Sequence, residues 1–192
     1  MTRTRRALAT IALAAALPAG AADAEAGRRK AEPCAACHGT DGNSPSPQYP
    51  SLAGQVPIYT YYQLLQFRDQ RRVNELMSPM AAKLTDADMK DIAAYYEAQK
   101  LVSQSKSPDP SRAQAGAAVA AANHCGSCHM PDYRGQKHIP RLAGLEYDYL
   151  VKQLRGFKTG ARPDIDGTMA SAAQPLSEQD IADISGYLAG LR

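Results

Sequence analysis

Cys34-Ala35-Ala36-Cys37-His38 and Cys125-Gly126-Ser127-Cys128-His129 are two copies of one pattern, C-x-x-C-H. Together they use all four cysteines of the 192-residue chain. The pattern is a signature of covalent haem attachment. Two thiols three residues apart reach the two vinyl groups on one edge of a haem and form thioethers. The His that follows then lies beneath the iron as an axial ligand. Other uses of paired cysteines match less well. A zinc ribbon sets its two knuckles about 15–20 residues apart, whereas Cys125 lies 91 positions after Cys34. A thioredoxin-like pair needs a βαβ setting, and no alternating strand pattern occurs. The motifs therefore predict thioether attachment at Cys34, Cys37, Cys125 and Cys128. They also predict iron ligation by His38 and His129, and two covalently bound haem c groups as cofactors.

The elements that must position these residues are repeated too. Pro50-Ser51-Leu52-Ala53-Gly54 matches Pro140-Arg141-Leu142-Ala143-Gly144 at an offset of 90, as Gln63 and Phe67 match Gln153 and Phe157. Leu84, Asp88, Ile92 and Tyr95 match Leu176, Asp180, Ile184 and Tyr187 at an offset of 92. Anchored blocks with small length changes between them are the mark of two diverged copies of one domain, since loops absorb insertions. Each copy reads as all-α with about three main helices. In the first, a helix over 24–36 runs into the motif, Pro45, Pro47 and Pro50 hold a loop, and a second helix covers 58–70. A third starts at Thr85 with a capping-box-like Thr-Asp-Ala-Asp. In the second copy, helices are expected over 111–122, around the stripe Tyr147, Leu150, Leu154, Phe157, and after Ser177. Gly27 and Gly116 suit a close crossing of the first and last helices of each copy, opposite Tyr95 and Tyr187.

The repeat also narrows the choice of second iron ligand. Met in that position raises the reduction potential and leaves no open site for small molecules. Met77 and Met169 each lie seven residues before the matched Leu84 and Leu176, whereas Met80 aligns with Ala172. Met77 and Met169 are therefore the expected partners of His38 and His129, with Met80 and Met89 in packing roles. A ligating His usually donates its other ring N–H to a carbonyl. Pro50 and Pro140, a dozen residues after the motifs, suit either that acceptor or a plain turn. His124 and His138 occur in one copy each and are expected at the surface. Arg68, Arg71, Arg72 and Lys152, Arg155, Lys158, Arg162 read as solvated helix faces, with docking or propionate binding as the other use.

Residues 1–22 read as a secretory signal peptide: Arg3, Arg5 and Arg6, then an apolar run from Ala7 to Leu17, then small residues. The apolar run is too short to span a bilayer, and no later run is apolar enough. The expected location is the periplasm, in keeping with haem attachment to exported chains. The expected parts are 23–100 as domain 1, 101–110 as a Ser- and Pro-rich linker, and 111–192 as domain 2. The chain has 22 basic against 19 acidic side chains. The signal carries three of the Arg, so the remainder is balanced and nucleic acid is excluded as a partner.

The region from about Ala22 to Arg192 resembles the di-haem cytochrome c4 family. The resemblance rests on Cys34-Ala35-Ala36-Cys37-His38-Gly39 with Asp41-Gly42-Asn43-Ser44, on Pro50 to Gln55, on Met77-Ser78-Pro79-Met80-Ala81-Ala82 and on Ile92 to Tyr96. The second copy repeats the scheme more loosely, and Met130 to Ile139 lacks the Gly-x-Asp-Gly-Asn pattern. The resemblance implies two tandem class I cytochrome c domains related by a pseudo-twofold repeat, with haems facing across the interface. It implies His38/Met77 and His129/Met169 ligation, with Pro50 and Pro140 orienting the histidines. It also implies an electron carrier, not an enzyme, whose redox partners are a membrane respiratory complex, a terminal oxidase or a dehydrogenase. A cytochrome subunit of a dehydrogenase complex is the alternative.

Overall fold

The structure, a computed structural model, describes residues 21–102 and 111–192. The expected signal peptide falls outside them except for its last two residues, and the expected linker falls outside them except for its first two. Among the described residues the secondary structure is helical, with no strand and one isolated bridge, Gln136 to Ile139. No helix among them is long and apolar enough to cross a membrane.

In the first half the helices are α1 (Ala24–Lys30), α2 (Ala35–His38), α3 (Pro57–Arg68), α4 (Met77–Ala81) and α5 (Asp86–Glu97). In the second they are α6 (Ser111–Ala122), α7 (Cys125–His129), α8 (Tyr147–Thr159), α9 (Thr168–Ala173) and α10 (Glu178–Gly190). The single helix expected over 24–36 is broken. Pro33 has no N–H to continue the ladder, so α1 stops at Lys30 and a 3₁₀ turn over Glu32–Cys34 leads into α2. Asp23 caps α1, its side chain accepting from the backbone N–H groups of Glu25 and Ala26. Thr85 and Asp88 form a full capping box on α5, and Ser177 and Asp180 form its counterpart on α10. Each box satisfies two otherwise orphan donors. The short α4 and α9, which carry Met77 and Met169, are additions to the three expected main helices.

Each half is built on a crossing of its first and last helices, α1 with α5 and α6 with α10. The backbones approach closely. A Cβ on Gly27 would lie 2.0 Å from the Asp91 carbonyl oxygen and 2.9 Å from Tyr95 Cβ. On Gly116 it would lie 2.0 Å from the Asp183 carbonyl oxygen and 2.7 Å from Tyr187 Cβ. Only glycine permits that separation. Helices α3 and α8 pack on α5 and α10 and close the two cores. One core is centred on Leu64, Met89, Ile92 and Tyr96, the other on Leu150, Ile181, Ile184 and Leu188.

Candidate haem sites

Both C-x-x-C-H motifs lie at the start of a half, on a short helix that ends at the His. No disulfide joins the four cysteines. Cys34 and Cys125 are packed against the two cores, and burial pushes both thiols up. The carbonyl of the second cysteine is bonded in each motif: Ser44 Oγ donates to Cys37 O at 3.2 Å, and Gln136 Nε2 to Cys128 O at 3.4 Å.

His38 and His129 are buried. Nδ1 of His38 lies 2.8 Å from the Pro50 carbonyl oxygen, and Nδ1 of His129 lies 2.9 Å from that of Pro140. A carbonyl only accepts, so in both rings Nδ1 carries the proton and Nε2 keeps its lone pair. Burial holds both imidazoles below the ordinary histidine range, against the opposing pull of the carbonyl bond. Neutral rings with Nδ1 anchored and Nε2 basic are the donor state that iron requires. Two thiols and one such nitrogen on a single helical turn suit covalent haem, so the residues present fit the group.

Met77 opens α4, half-buried, with its N–H donating to Asn74 Oδ1 at 2.9 Å, and it packs on the same core cluster as Cys34. Met80, three residues on, is 46% exposed. Met89 is fully buried in the core. Met169 lies in the first turn of α9, partly buried; the carboxylate of Asp164 accepts from the Met169 and Ala170 N–H groups at 2.5 and 3.2 Å. His124 and His138 are exposed.

The second loop replaces the glycines of the first. Gly39 and Gly42 have φ of +79° and +77°; the matching Met130 and Tyr133 have +70° and +56°. The turn survives because its bonds survive. Leu52 and Ala53 N–H both donate to Gly42 O, and Leu142 and Ala143 N–H both donate to Tyr133 O.

The contact between halves is where sequence reasoning fell short. Arg72 and Arg162 are not solvated. Arg72 stacks over Phe67 and donates to Gln63 in its own half and Gln153 in the other. Arg162 stacks over Phe157 and donates to Gln153, Gln63 and the Tyr59 hydroxyl. Each guanidinium gains a ring and acceptors from both halves, which outweighs its desolvation. Arg71, Lys152 and Arg155 do face solvent. A second group was missed altogether. Ser51 N–H and Oγ donate to the Glu146 carboxylate at 2.9 and 2.5 Å. Gln55 exchanges two bonds with the backbone of Arg141, at 2.7 and 3.1 Å. The Arg141 guanidinium donates to the Ser51, Ala53 and Ala143 carbonyls. The available signal was the repeat itself, which puts Arg141 opposite Ser51 and Glu146 opposite Val56, charge where the other copy has none. Arg141 and Arg162 also keep a buried Nε–H without an acceptor among the described residues, donors suited to an anionic group such as a propionate.

The family model "Cytochrome c" matches residues 24–99 and again 113–192. Cytochrome c4 of Thiocapsa roseopersicina is 42% identical over 184 residues, covering 88% of this chain and 93% of that protein. Cytochrome c4 of Pseudomonas aeruginosa is 39% identical over 182 residues, covering 89% and 90%. The crystal structure of reduced recombinant cytochrome c4 from Pseudomonas stutzeri superposes with a TM-score of 0.83 at 35% identity, covering 90% of this chain and all of that one. Two haem-attachment motifs on two tandem helical domains, matched over nearly the whole chain, lead to one conclusion: this chain belongs to the cytochrome c4 family and is a di-haem c-type cytochrome of electron transfer, with two covalently bound haems.

Proposed function

We propose that the protein is a periplasmic carrier that takes up and releases electrons one at a time. Its donor is a respiratory-chain or dehydrogenase partner, and its terminal acceptor is of the oxidase type. In this reading Cys34 and Cys37, and Cys125 and Cys128, hold the two haems by thioethers. His38 with Met77, and His129 with Met169, complete the iron ligation. When bound, the haems supply a one-electron Fe(III)/Fe(II) couple. The chain does the rest. The Pro50 and Pro140 carbonyls fix the rotation of the two imidazoles and raise their basicity. Met77 and Met169 would each supply a second protein ligand to the iron, which favours outer-sphere transfer over binding at iron. The apolar cores behind Cys34 and Cys125 keep water from the attachment edges. The export signal read from the sequence at 1–22 and the balanced charge of the remainder support a periplasmic protein partner and argue against nucleic acid.

The observation that carries the proposal is the paired Nδ1–carbonyl bond, 2.8 Å in one domain and 2.9 Å in the other. It presents two basic Nε2 atoms in the same way, each beside a pair of free cysteines. A redox titration of the holoprotein with optical spectra tests it. Two one-electron steps and a Met–iron charge-transfer band from both haems are expected. Met77→Ala should abolish the domain 1 share of that band and lower one midpoint, while Met80→Ala should leave both unchanged. The reverse result would overturn the ligand assignment. Ready binding of carbon monoxide at both reduced haems would overturn the carrier reading.

A further inference from the structure

The two peptide groups that hold the axial histidines are also held from the far side, each by the opposite domain. The Pro50–Ser51 peptide accepts from His38 Nδ1 at its carbonyl and donates through Ser51 N–H to Glu146 Oε2 at 2.9 Å. The Pro140–Arg141 peptide accepts from His129 Nδ1 and donates through Arg141 N–H to Gln55 Oε1 at 2.7 Å. Geometrically the two relays are alike. Chemically they differ, because one ends on a carboxylate and the other on a neutral amide.

Glu146 is 6% exposed and Ser51 4%. Both carboxylate oxygens are taken by donors from Ser51, bonds that favour the ionised group against the burial that pushes its pKa up. The Arg141 guanidinium donates to the Ser51 and Ala53 carbonyls of the same segment, and its nearby charge also favours the ionised carboxylate. Hydrogen bonds to an ionised acceptor are about twice as strong as neutral ones, and hydrogen-bonded chains polarise one another. A peptide whose N–H is bonded to a carboxylate has a more negative carbonyl oxygen. That oxygen draws harder on the imidazole proton and makes Nε2 more basic. A more basic axial ligand favours Fe(III) over Fe(II) and lowers the potential.

We propose that Glu146 of the second domain is a positioning residue for His38 of the first, acting through the Pro50–Ser51 peptide to set the domain 1 haem at a lower potential than it would otherwise have. Gln55 is its weaker counterpart for His129. The inference rests on the ligand assignment proposed above. It makes the interface an element of redox tuning as well as of adhesion.

The test uses the holoprotein in a Met169→His background. That change removes the domain 2 share of the Met–iron charge-transfer band and moves the domain 2 midpoint down, so the remaining band reports domain 1 alone. Adding Glu146→Gln keeps an acceptor for Ser51 N–H but removes the charge. The domain 1 midpoint should rise by the equivalent of at least about a threefold change in the Fe(II)/Fe(III) ratio, about 28 mV at about 59 mV per decade. The domain 2 midpoint should move much less. Gln55→Glu, made separately, should lower the domain 2 midpoint more than that of domain 1. A loosened interface would move both midpoints together and cannot give this crossed pattern. Equal shifts of both midpoints in either variant, or none, would overturn the relay even with the ligand set intact. Survival of the whole band in Met169→His would instead overturn the ligand set, and the relay with it.

Discussion

The two domains share a plan and differ in how they fill it. Gly42 in domain 1 leaves room for Tyr96, whose ring atoms would stand 2.6 and 3.0 Å from a Cβ at that position. In domain 2 the matching pair is Tyr133 and Leu188. There the aromatic ring comes from the loop, with Tyr133 edge-on to Tyr187 at 5.6 Å, and the helix carries the smaller residue. Bulk has moved from helix to loop, and the loop backbone has kept a positive φ to accept it. The interface differs in the same spirit. Where domain 1 has Ser51 and Val56, domain 2 has Arg141 and Glu146, so domain 2 supplies both charges of this one buried group. The duplicated fold thus conserves backbone hydrogen bonds, while the residues that pack around them are free to change sides.

If Arg141 and Glu146 work as one group, removing one of them should hurt most. Arg141→Met leaves the Glu146 carboxylate without its cation and three carbonyls without donors. Breaking a buried charged arrangement from one side costs about 3–5 kcal/mol. The expected result is that urea unfolding of the holoprotein, followed by circular dichroism, separates into two transitions. A single unshifted transition would show that the domains are coupled by other contacts. Burial pushes the Arg141 pKa down only to about 10, so the guanidinium stays charged near neutrality and this effect should be the same at pH 6 and pH 8.

The exchange of bulk between loop and helix predicts a smaller loss. Tyr133→Gly relieves a left-handed residue, worth about 1–2 kcal/mol, but deletes a ring that is only 6% exposed, worth about 3–5 kcal/mol. A net destabilisation of about 2 kcal/mol is expected, confined to domain 2. The measurement is the unfolding midpoint read from the haem of each domain. A stabilised Tyr133→Gly protein would mean that strain, not packing, governs that loop.

The smallest expected effect concerns the helix crossings. In domain 1, Lys30 pairs with Asp88 and Asp91 at 2.8 and 2.6 Å. In domain 2 the position matching Lys30 is Val119, and Arg112 pairs with Asp183 from two turns away on α6. The Lys30 ammonium and the Thr85 bonds hold the Asp88 carboxyl at about 2, below its ordinary 3.8. A lowered carboxyl pKa contributes stability that is present above the unfolded value and is lost as pH falls through the folded one. Lys30→Met should therefore weaken domain 1 slightly at pH 7 and progressively less as pH falls through about 2, with domain 2 unaffected. Denaturation midpoints across that range, compared with the parent protein, check this. The Lys30 ammonium is one-third exposed and screened by solvent, so a small difference is expected.

Much of this was legible in the chain. Attachment spacing, duplication and helix starts depend on residues within a few positions of one another. The two motifs, the capping boxes at Thr85 and Ser177 and the crossings at Gly27 and Gly116 all appear where local chemistry puts them. Local chemistry also explains the misread helix, since Pro33 was visible and its power to end α1 was underrated. Pro50 and Pro140 were open between carbonyl acceptor and simple turn. Nothing local decides that, because it depends on where a ring a dozen residues away comes to rest. The same holds more strongly for Arg72, Arg162, Arg141 and Glu146. Ser51 and Glu146 are 95 positions apart. A charged side chain is read as solvated until a second domain supplies its acceptors and takes away its water. The sequence by itself determined that there are two haem motifs, in two copies of one helical domain. Only the tertiary structure decided that the peptide bonded to each motif histidine is gripped by the other domain, because desolvation and long-range pairing exist only once the halves have met.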